Sequence, residues 1–296
     1  MLNFLYICIM ATQLQTKLDS LNPKLFLDED WVDDDIVLDE TEYEEDENII
    51  KLNNDNVIRN ISFDQSEILY NVMQLYNEGK PFDCDITASE LKFYENKNNK
   101  YQIPIPKYLF DVYPLDERIK KITPFKPLPL DDGSIGSVVV DLPFVISPKT
   151  CPSMQNPKKG SNIIMKRFSC WYPYMEAYTN IYYWLSECYR VLNEGGIVCW
   201  KFQDTISASI NHRFIQFCAE CAMHFGFYVI DEFILESKAR LISSSKYKNG
   251  QKHARKYTSS FLVFVKDKKK AEKYSTLNIL DYCKNNVQEG MEWKIK

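Results

Sequence analysis

Strand and helix patterns alternate along this chain until the last two strands, which follow one another with no helix between them. Short apolar runs bounded by turn residues predict the strands, and apolar residues at helical spacing predict the helices. Parallel strands need helical crossovers, whereas a direct connection reverses the chain. The sequence therefore predicts an α/β, Rossmann-like, doubly wound fold whose mostly parallel sheet has an antiparallel C-terminal strand. The predicted strands are 81–89, 107–114, 119–125, 134–141, 196–202, 227–235 and 259–266, and the predicted helices are 63–81, 171–192 and 211–226.

The strand at 134–141 is followed by an unusual combination of residues. It ends in SVVVD, and Leu142, Pro143 and Phe144 come directly after Asp141. A continuous apolar run is typical of a central parallel strand, and open α/β sheets bind ligands at the carboxyl ends of such strands. The carboxylate and the ring at this strand end are therefore a candidate site.

Charge is distributed unevenly along the chain. The formal net charge is −5, yet residues 28–47 hold 13 acidic residues and no basic one, which leaves 28 acidic against 36 basic residues elsewhere. This pattern predicts an acidic, flexible arm over 1–62, a folded domain over 63–270 and a C-terminal tail over 271–296. The arm is interpreted as a solvated leader, as a polyanion that competes with nucleic acid for a basic groove, or as a partner-binding segment.

Cysteine usage favours an intracellular, cytoplasmic protein. The nine cysteines are odd in number, scattered and mostly set in apolar stretches, which predicts reduced thiols. The opening MLNFLYICIM has no basic leader and is shorter than the roughly 20 apolar residues that span a bilayer, so we predict neither export nor a membrane partner. Cys218, Cys221 and His224 lie on one predicted helix without a second ligand pair, which predicts core packing and no metal site.

The order of these segments resembles the class I S-adenosylmethionine-dependent methyltransferase fold over about residues 65–267. SECYRVLNEGGIVCWKFQD, residues 186–204, is similar to the helix, Gly-Gly turn and fifth strand of that fold. DLPF at 141–144 resembles the (Asp/Asn)-Pro-Pro-aromatic signature of DNA amino-methyltransferases, with Leu142 in place of the first proline. The resemblance implies a seven-stranded sheet, S-adenosylmethionine as cofactor and DNA as partner.

The resemblance gives the catalytic role to Asp141, Leu142, Pro143 and Phe144. An exocyclic base amine is a poor nucleophile because its lone pair is delocalised into the ring, so its N–H groups must point at acceptors. The Asp141 carboxylate and the main-chain carbonyl of Leu142 would accept these hydrogen bonds, while Phe144 would stack on the flipped base. Leucine keeps this carbonyl but loses the fixed backbone angle of proline. In the alternative interpretation, Asp141 caps a turn and Phe144 only packs.

The cofactor residues implied by the resemblance follow the first two strands. The family carries a Gly-x-Gly-like loop after the first strand, where this chain has FDCDITASELKFY, residues 82–94. We expect one aspartate of this segment to face the sulfonium and a small-residue turn to let the cofactor approach. An acid after the second strand would bind the ribose hydroxyls. The predicted cofactor residues are Asp83, Asp85, Thr87, Ala88, Ser89 and Asp111.

A basic segment, residues 238–260, precedes the last strand and interleaves its cations with tyrosines. Clustered cations bind phosphates through counterion release, and a solvated basic loop is the alternative. The Pro/Ser/Lys/Asn-rich residues 148–162 are predicted to form a lid or binding loop. The predicted nucleic-acid contacts are Lys246, Lys248, Lys252, Arg255 and Lys256.

These observations predict a methyltransferase that acts on an exocyclic base amine in DNA, adenine in the first place, or cytosine. The same acceptor pair also fits an RNA base or a protein amide. A nucleic-acid-binding relative that has lost the cofactor is the third interpretation, because the glycines of the cofactor loop are missing. The oligomeric state and the recognition sequence stay open.

Overall fold

The candidate strand is present in the computed structural model of the protein as β5, Ile135–Asp141. Its three valines, Val138 to Val140, are at most 1% exposed, as expected for a parallel strand that is covered on both faces. The structure describes residues 57–95, 100–146, 170–207, 210–237, 253–254 and 256–286. These residues belong to one compact unit that begins at Asn56.

Fifteen elements are assigned in the described residues, and most match the predicted segments. The strands besides β5 are β1 (Ile61–Ser62), β2 (Cys84–Asp85), β3 (Tyr108–Asp111), β4 (Lys120–Lys121), β6 (Leu192–Phe202), β7 (Thr205–Ser207), β8 (Ile210–His212), β9 (Phe227–Glu236) and β10 (Thr258–Lys266). The helices are α1 (Gln65–Tyr76), α2 (Tyr174–Val191), α3 (Phe214–Phe225), α4 (Lys268–Lys273) and α5 (Thr276–Asn286).

The main sheet has the order β1-β9-β10-β6-β5-β2-β3-β4. Every neighbouring pair is parallel except the two pairs made by β10, which runs antiparallel between β6 and β9. The prediction of a mostly parallel sheet with an antiparallel C-terminal strand is therefore confirmed. The described sheet has eight strands rather than seven because β1 adds to the edge strand β9.

The sheet separates two hydrophobic clusters. Val138 and Val140 face the cluster that contains the buried side chains of α2 and α3, whereas Val139 faces the cluster that contains those of α1. Helix α1 begins after Asp64, whose carboxylate accepts a hydrogen bond from the Ser66 N–H at 2.9 Å. Successive side chains of a strand point to opposite faces of the sheet, so this alternation decides which side chains of β5 and β6 lie next to each other.

Three local features differ from the predictions. Helix α2 passes directly into β6 at Leu192, so Gly195 and Gly196 lie inside the strand rather than ending the helix. The β7–β8 hairpin was not predicted because its three-residue strands pair only with each other and carry no apolar run. Helix α5 lies in the predicted tail, and its apolar residues Leu277 and Tyr282 are about 70% exposed.

Cysteine chemistry is mixed in the described part of the chain. Six cysteines are free thiols, and five of these are buried, in agreement with the prediction of reduced core cysteines. Cys170 is disulfide-bonded, which that prediction did not include. No helix among the described residues has the length and apolar character needed to cross a membrane.

Candidate active site

Asp141 forms an ion pair at the carboxyl end of β5. The residue is the last of its strand, and its register partner on the neighbouring strand β6 is Lys201. The Lys201 Nζ donates a hydrogen bond to Asp141 Oδ2 at 2.9 Å, and the two side chains are 11% and 25% exposed. Among the described residues, Lys201 is the one that contacts this carboxylate. Its other oxygen, Oδ1, therefore keeps its acceptor capacity.

The Lys201 ammonium is held by more than the carboxylate. It lies 3.4 Å from Gln65 Oε1, and its distances to the ring centroids of Phe93 and Phe261 are 5.2 and 5.6 Å. Cations within about 6 Å of a ring centroid are attracted by the π face. Sequence analysis missed Lys201, although a lysine inside the apolar strand run IVCWKF is a signal, because a buried lysine needs a partner.

The turn after β2 touches the end of β5. The Asp141 N–H donates to Thr87 Oγ1 at 2.8 Å. Thr87 in turn donates to Asp85 Oδ1, from its N–H at 2.7 Å and from its hydroxyl at 3.1 Å. The structure therefore brings together Asp141, the predicted hydrogen-bond acceptor for the target amine, and the predicted cofactor turn.

Asp85 lies beneath this turn rather than on its surface. The residue is fully buried, and its Oδ2 accepts a hydrogen bond from the Tyr94 hydroxyl at 2.6 Å. Burial raises the pKa of Asp85 to about 7, against the opposing effect of the hydrogen bonds from Tyr94 and Thr87. The carboxylate thus supports the turn from below, and the structure does not bring it to a position where it faces a cofactor.

Asp111 ends β3 and holds the neighbouring loop. Its Oδ2 accepts from the Ser89 N–H at 2.9 Å and its Oδ1 from the Tyr113 N–H at 2.6 Å. Partial burial raises the pKa of this carboxyl group, and the two backbone hydrogen bonds oppose the shift. A carboxylate has about four acceptor positions, so about two remain for the hydroxyls of a ribose. Asp111 therefore fits the role that the resemblance gives it.

The turn bends without glycine. Ser89 and Leu91 have φ angles of +46° and +57°, in the left-handed region that favours glycine. The Leu91 N–H donates to the Ala88 carbonyl at 2.7 Å, and both of these side chains are buried. The apolar side chains therefore pack inward, while Ser89 is exposed at the rim next to Asp111.

Asp83 lies at the opposite end of the parallel strands, beside the amino end of β5. Its Oδ2 accepts from the N–H groups of Gly136 and Ser137, at 2.7 and 3.1 Å, where β5 begins. It also lines a polar cavity of about 390 Å³ at the amino ends of β5 and β6. The structure therefore separates Asp83 from Asp141 and Asp111, and its predicted cofactor role has no geometric support.

The three residues after Asp141 are divided between core and surface. Leu142 is buried at 5% exposure, and Phe144 is partly buried and packs against the same hydrophobic cluster. The Pro143 carbonyl accepts a hydrogen bond from the indole Nε1 of Trp171, a residue that sequence analysis did not single out. The loop prediction for 148–162 lies outside the described residues.

Lys256 is the one predicted nucleic-acid contact that the structure describes; Lys246, Lys248, Lys252 and Arg255 lie outside the described residues. The Gln203 amide, just after β6, donates to the carbonyls of Lys256 and Thr258 at 3.4 and 2.6 Å. Strand β9 ends at Glu236 and the antiparallel β10 begins at Thr258, both at the sheet edge of Asp141, so the described residues on either side of 238–252 lie at this edge.

Cys218 and Cys221 of the CxxCxxH pattern are buried in α3, as predicted for core residues, whereas His224 is exposed, so the prediction of core packing is wrong for this residue. The described residues contain no group of three or more metal-type ligands placed to bind an ion.

The antiparallel β10 in a mostly parallel sheet agrees with the class I S-adenosylmethionine-dependent methyltransferase fold that the sequence resembles. A model of the DNA methylase family matches residues 135–296, which is more than half of the chain. The protein therefore belongs to this DNA methylase family. The match includes Asp141 to Phe144 and Lys201, and it begins after the turn at 86–91 and Asp111.

Solved structures resemble the chain only weakly. A candidate DNA modification methylase from Thermus thermophilus is 14% identical with a TM-score of 0.30, each chain being covered over 47%. Its complex with S-adenosyl-L-methionine gives 13% identity, a TM-score of 0.29 and coverage of 47% and 48%. A candidate hemolysin from Streptococcus thermophilus is 12% identical with a TM-score of 0.36 and 74% coverage of both chains.

The chain thus spans about half the length of the Thermus structures. Similarities at these TM-scores support no conclusion about function. A comparison with curated protein sequences found no significant match.

Proposed function

We propose that the protein is an S-adenosylmethionine-dependent methyltransferase that methylates the exocyclic amino group of adenine, or of cytosine, in DNA. The observation that carries this proposal is the contact between Asp141 and Thr87, in a chain of the DNA methylase family. It joins the carboxyl end of β5, where the target amine would be held, to the turn after β2, where the cofactor would lie.

Asp141 and Leu142 act as the acceptors for the target amine. Lys201 holds Oδ2 of the Asp141 carboxylate, so Oδ1 is the oxygen that accepts from one N–H of the amine. The Leu142 carbonyl accepts from the other N–H, which leaves the nitrogen lone pair free to attack the methyl carbon. The methyl–sulfur bond would break to leave a neutral thioether, and the methylated amine would lose one proton to the Asp141 carboxylate, which passes it to water. Phe144 packs against the core on one side, and its partly exposed ring stacks on the base after the base has left the duplex.

The cofactor supplies a methyl group on a sulfonium, an already activated donor. Asp111 would bind its ribose hydroxyls with the acceptor positions that Ser89 and Tyr113 leave unused. Thr87, Ala88 and Ser89 form the small-residue turn beside it, and Asp85 fixes this turn from below through Thr87. Positioning of donor and acceptor then supplies most of the rate enhancement.

The basic segment, residues 238–260, supplies the DNA contacts. Strand β9, which comes before it, ends at the sheet edge that carries Asp141, and strand β10 begins at the same edge. Lys246, Lys248, Lys252, Arg255 and Lys256 would neutralise phosphates and release counterions. Residues 148–162, the predicted lid or binding loop, would supply further DNA contacts.

Transfer of a labelled methyl group tests the proposal. The full-length protein is incubated with tritiated S-adenosylmethionine and, in parallel, with DNA, RNA and unrelated protein, and the DNA is digested to nucleosides. We expect label in N6-methyladenine or N4-methylcytosine, and about 10²- to 10³-fold less of it with Asp141→Ala. Label that appears in RNA or in protein glutamine instead would reassign the substrate.

A cofactor-free nucleic-acid-binding protein of the same fold is the second candidate function. Two observations favour it: Lys201 already pairs with the Asp141 carboxylate, and the turn at 87–91 lacks glycine and buries Ala88 and Leu91. Calorimetric titration separates the two functions, because this second candidate binds DNA without binding S-adenosylmethionine.

A further inference from the structure

Trp171 lies three residues before α2 and forms hydrogen bonds with the residues that follow Asp141. Its indole N–H donates to the Pro143 carbonyl, and its backbone N–H donates to the Val145 carbonyl at 2.8 Å. Trp171 and Ile146 also form an isolated parallel β-bridge. The indole is 8% exposed and belongs to the cluster that contains the side chains of α2 and α3. The residues after Asp141 are therefore hydrogen-bonded to a residue whose side chain packs in the hydrophobic core.

The Leu142 carbonyl lies between two fixed points. On one side, the Asp141 N–H is bound by Thr87 Oγ1 at 2.8 Å; on the other, the Pro143 carbonyl is bound by Trp171. The ring of Pro143 also fixes its own φ angle. The peptide plane that carries the Leu142 carbonyl is therefore restrained from both ends, although residue 142 itself is not a proline.

We propose that Trp171 is a positioning residue for methyl transfer: its hydrogen bond to the Pro143 carbonyl aims the Leu142 carbonyl at the target amine. This inference rests on the proposed function and assigns to Trp171 the restraint that a proline at position 142 would provide. Trp171 acts through the backbone and does not touch the reacting atoms.

The test uses the full-length protein and the DNA transfer assay. Trp171→Phe keeps a buried ring but removes the N–H donor, so kcat is expected to fall about 10- to 100-fold, as for a misplaced reacting group. The KM for S-adenosylmethionine is expected to stay within about twofold, because the turn at 86–91 and Asp111 are unchanged. Trp184→Phe, at a buried tryptophan of α2 for which the described residues give no hydrogen bond to 141–146, is the matched control and is expected to retain wild-type kcat.

A second substitution distinguishes positioning from packing. Leu142→Pro in the Trp171→Phe background restores a backbone restraint without restoring the indole, and it is expected to recover kcat at least about fivefold. A purely structural role of Trp171 would not respond to a proline at position 142. If Trp171→Phe does not fold, Trp171→His, which keeps a ring N–H, is compared with Trp171→Met, and the donor-bearing variant is expected to be faster.

An active wild type with unchanged kcat in Trp171→Phe would overturn this inference alone, as would a double variant no faster than Trp171→Phe. A histidine variant no faster than the methionine variant would have the same consequence. A wild-type protein that transfers no methyl group to any acceptor would overturn the proposed function and this inference together.

Discussion

The two halves of the candidate site are built differently. The acceptor half, at the end of β5, has Asp141 and Phe144 partly exposed. Lys201 pairs with the Asp141 carboxylate, and Trp171 donates a hydrogen bond to the Pro143 carbonyl. In the cofactor half, after β2, Asp85 is fully buried and the turn above it bends through Ser89 and Leu91. The acceptor half therefore has its groups at the surface, whereas the cofactor half offers mainly Asp111 and the backbone of its turn.

The family match separates the two halves in the same way. The DNA methylase match covers the acceptor half and begins after the cofactor half. Hydrogen bonds connect the two halves through Asp141, Thr87 and Asp85. The Lys201 ammonium near the Phe93 ring is a second connection between the halves, and substitutions can test each half separately.

Loss of the Asp141 carboxylate is expected to have the largest effect. Asp141→Ala removes the side-chain acceptor for the target amine, and methyl transfer should fall about 10²- to 10³-fold, as on loss of a hydrogen-bond partner of a transition state. Initial rates of tritium transfer to DNA measure the effect, and Asp131→Ala, at an exposed acid, is the control. Wild-type rates in Asp141→Ala would show that the acceptor half is assigned wrongly.

Asp141→Ala should also reduce stability, because it leaves the Lys201 ammonium largely buried without its carboxylate. We expect the free energy of unfolding to fall by about 1–3 kcal/mol, measured by urea denaturation. A double variant, Asp141→Ala with Lys201→Met, should recover part of this loss because the unpaired charge is gone. If the double variant is less stable than Asp141→Ala, the ion pair does not have the energetic role assigned to it.

The buried carboxyl group in the cofactor half should make stability depend on pH. The pKa of Asp85 is raised to about 7, whereas an aspartate in an unfolded chain titrates near pH 4. Between these pH values the folded protein retains the proton and the unfolded chain releases it, so the free energy of unfolding falls as pH rises from about 4 to 7. Above pH 7 both states are ionised and this contribution becomes constant.

Asp85→Asn should remove this pH dependence, which we expect to be about 2–4 kcal/mol across the window. Denaturation curves of the wild type and of Asp85→Asn at pH 4.5, 6 and 7.5 measure the difference. If the difference in unfolding free energy between the wild type and Asp85→Asn is the same at all three pH values, no titrating carboxyl group is buried beneath the turn.

Phe144→Ala should weaken DNA binding without changing cofactor binding. Base stacking on an aromatic ring contributes about 1–3 kcal/mol, so the KM for DNA should rise about 5- to 100-fold. Phe144→Tyr keeps the ring and is the control. If the alanine variant binds DNA normally, the ring only packs against the core.

Lys256→Ala should produce the smallest effect. Removal of one phosphate contact lowers the slope of log affinity against log salt by about 0.9, and the DNA affinity falls only a few-fold. Lys269→Ala, on the exposed helix α4, is the control. Equal salt slopes for wild type and Lys256→Ala would place this end of the basic segment outside the DNA interface.

The fold was predictable because its signals are local and repeated. Apolar runs such as VVV at 138–140 and the helix before β6 fix the element types, and the strand pair at the end fixes the antiparallel β10. The edge strand β1, the β7–β8 hairpin and α5 were not predicted, because two- and three-residue strands and an exposed helix carry little hydrophobic periodicity.

The candidate site was predictable where one short motif carries the chemistry, and less so where chain segments meet. Asp141 lies at a strand end, and strand ends can be located from sequence. Asp83 and Asp85 could not be told apart in sequence; in the structure one binds Gly136 at the opposite edge and the other is buried beneath Thr87. Lys201 and Trp171 act through long-range contacts that a single sequence does not reveal.

Calorimetric titration of S-adenosylmethionine into the full-length protein tests most directly whether both halves form one methyl-transfer site. The account predicts saturable one-site binding to the wild type, binding about tenfold or more weaker with Asp111→Asn, and wild-type affinity with Asp83→Asn at the opposite sheet edge. No binding to the wild type, or a loss with Asp83→Asn but not with Asp111→Asn, would contradict it.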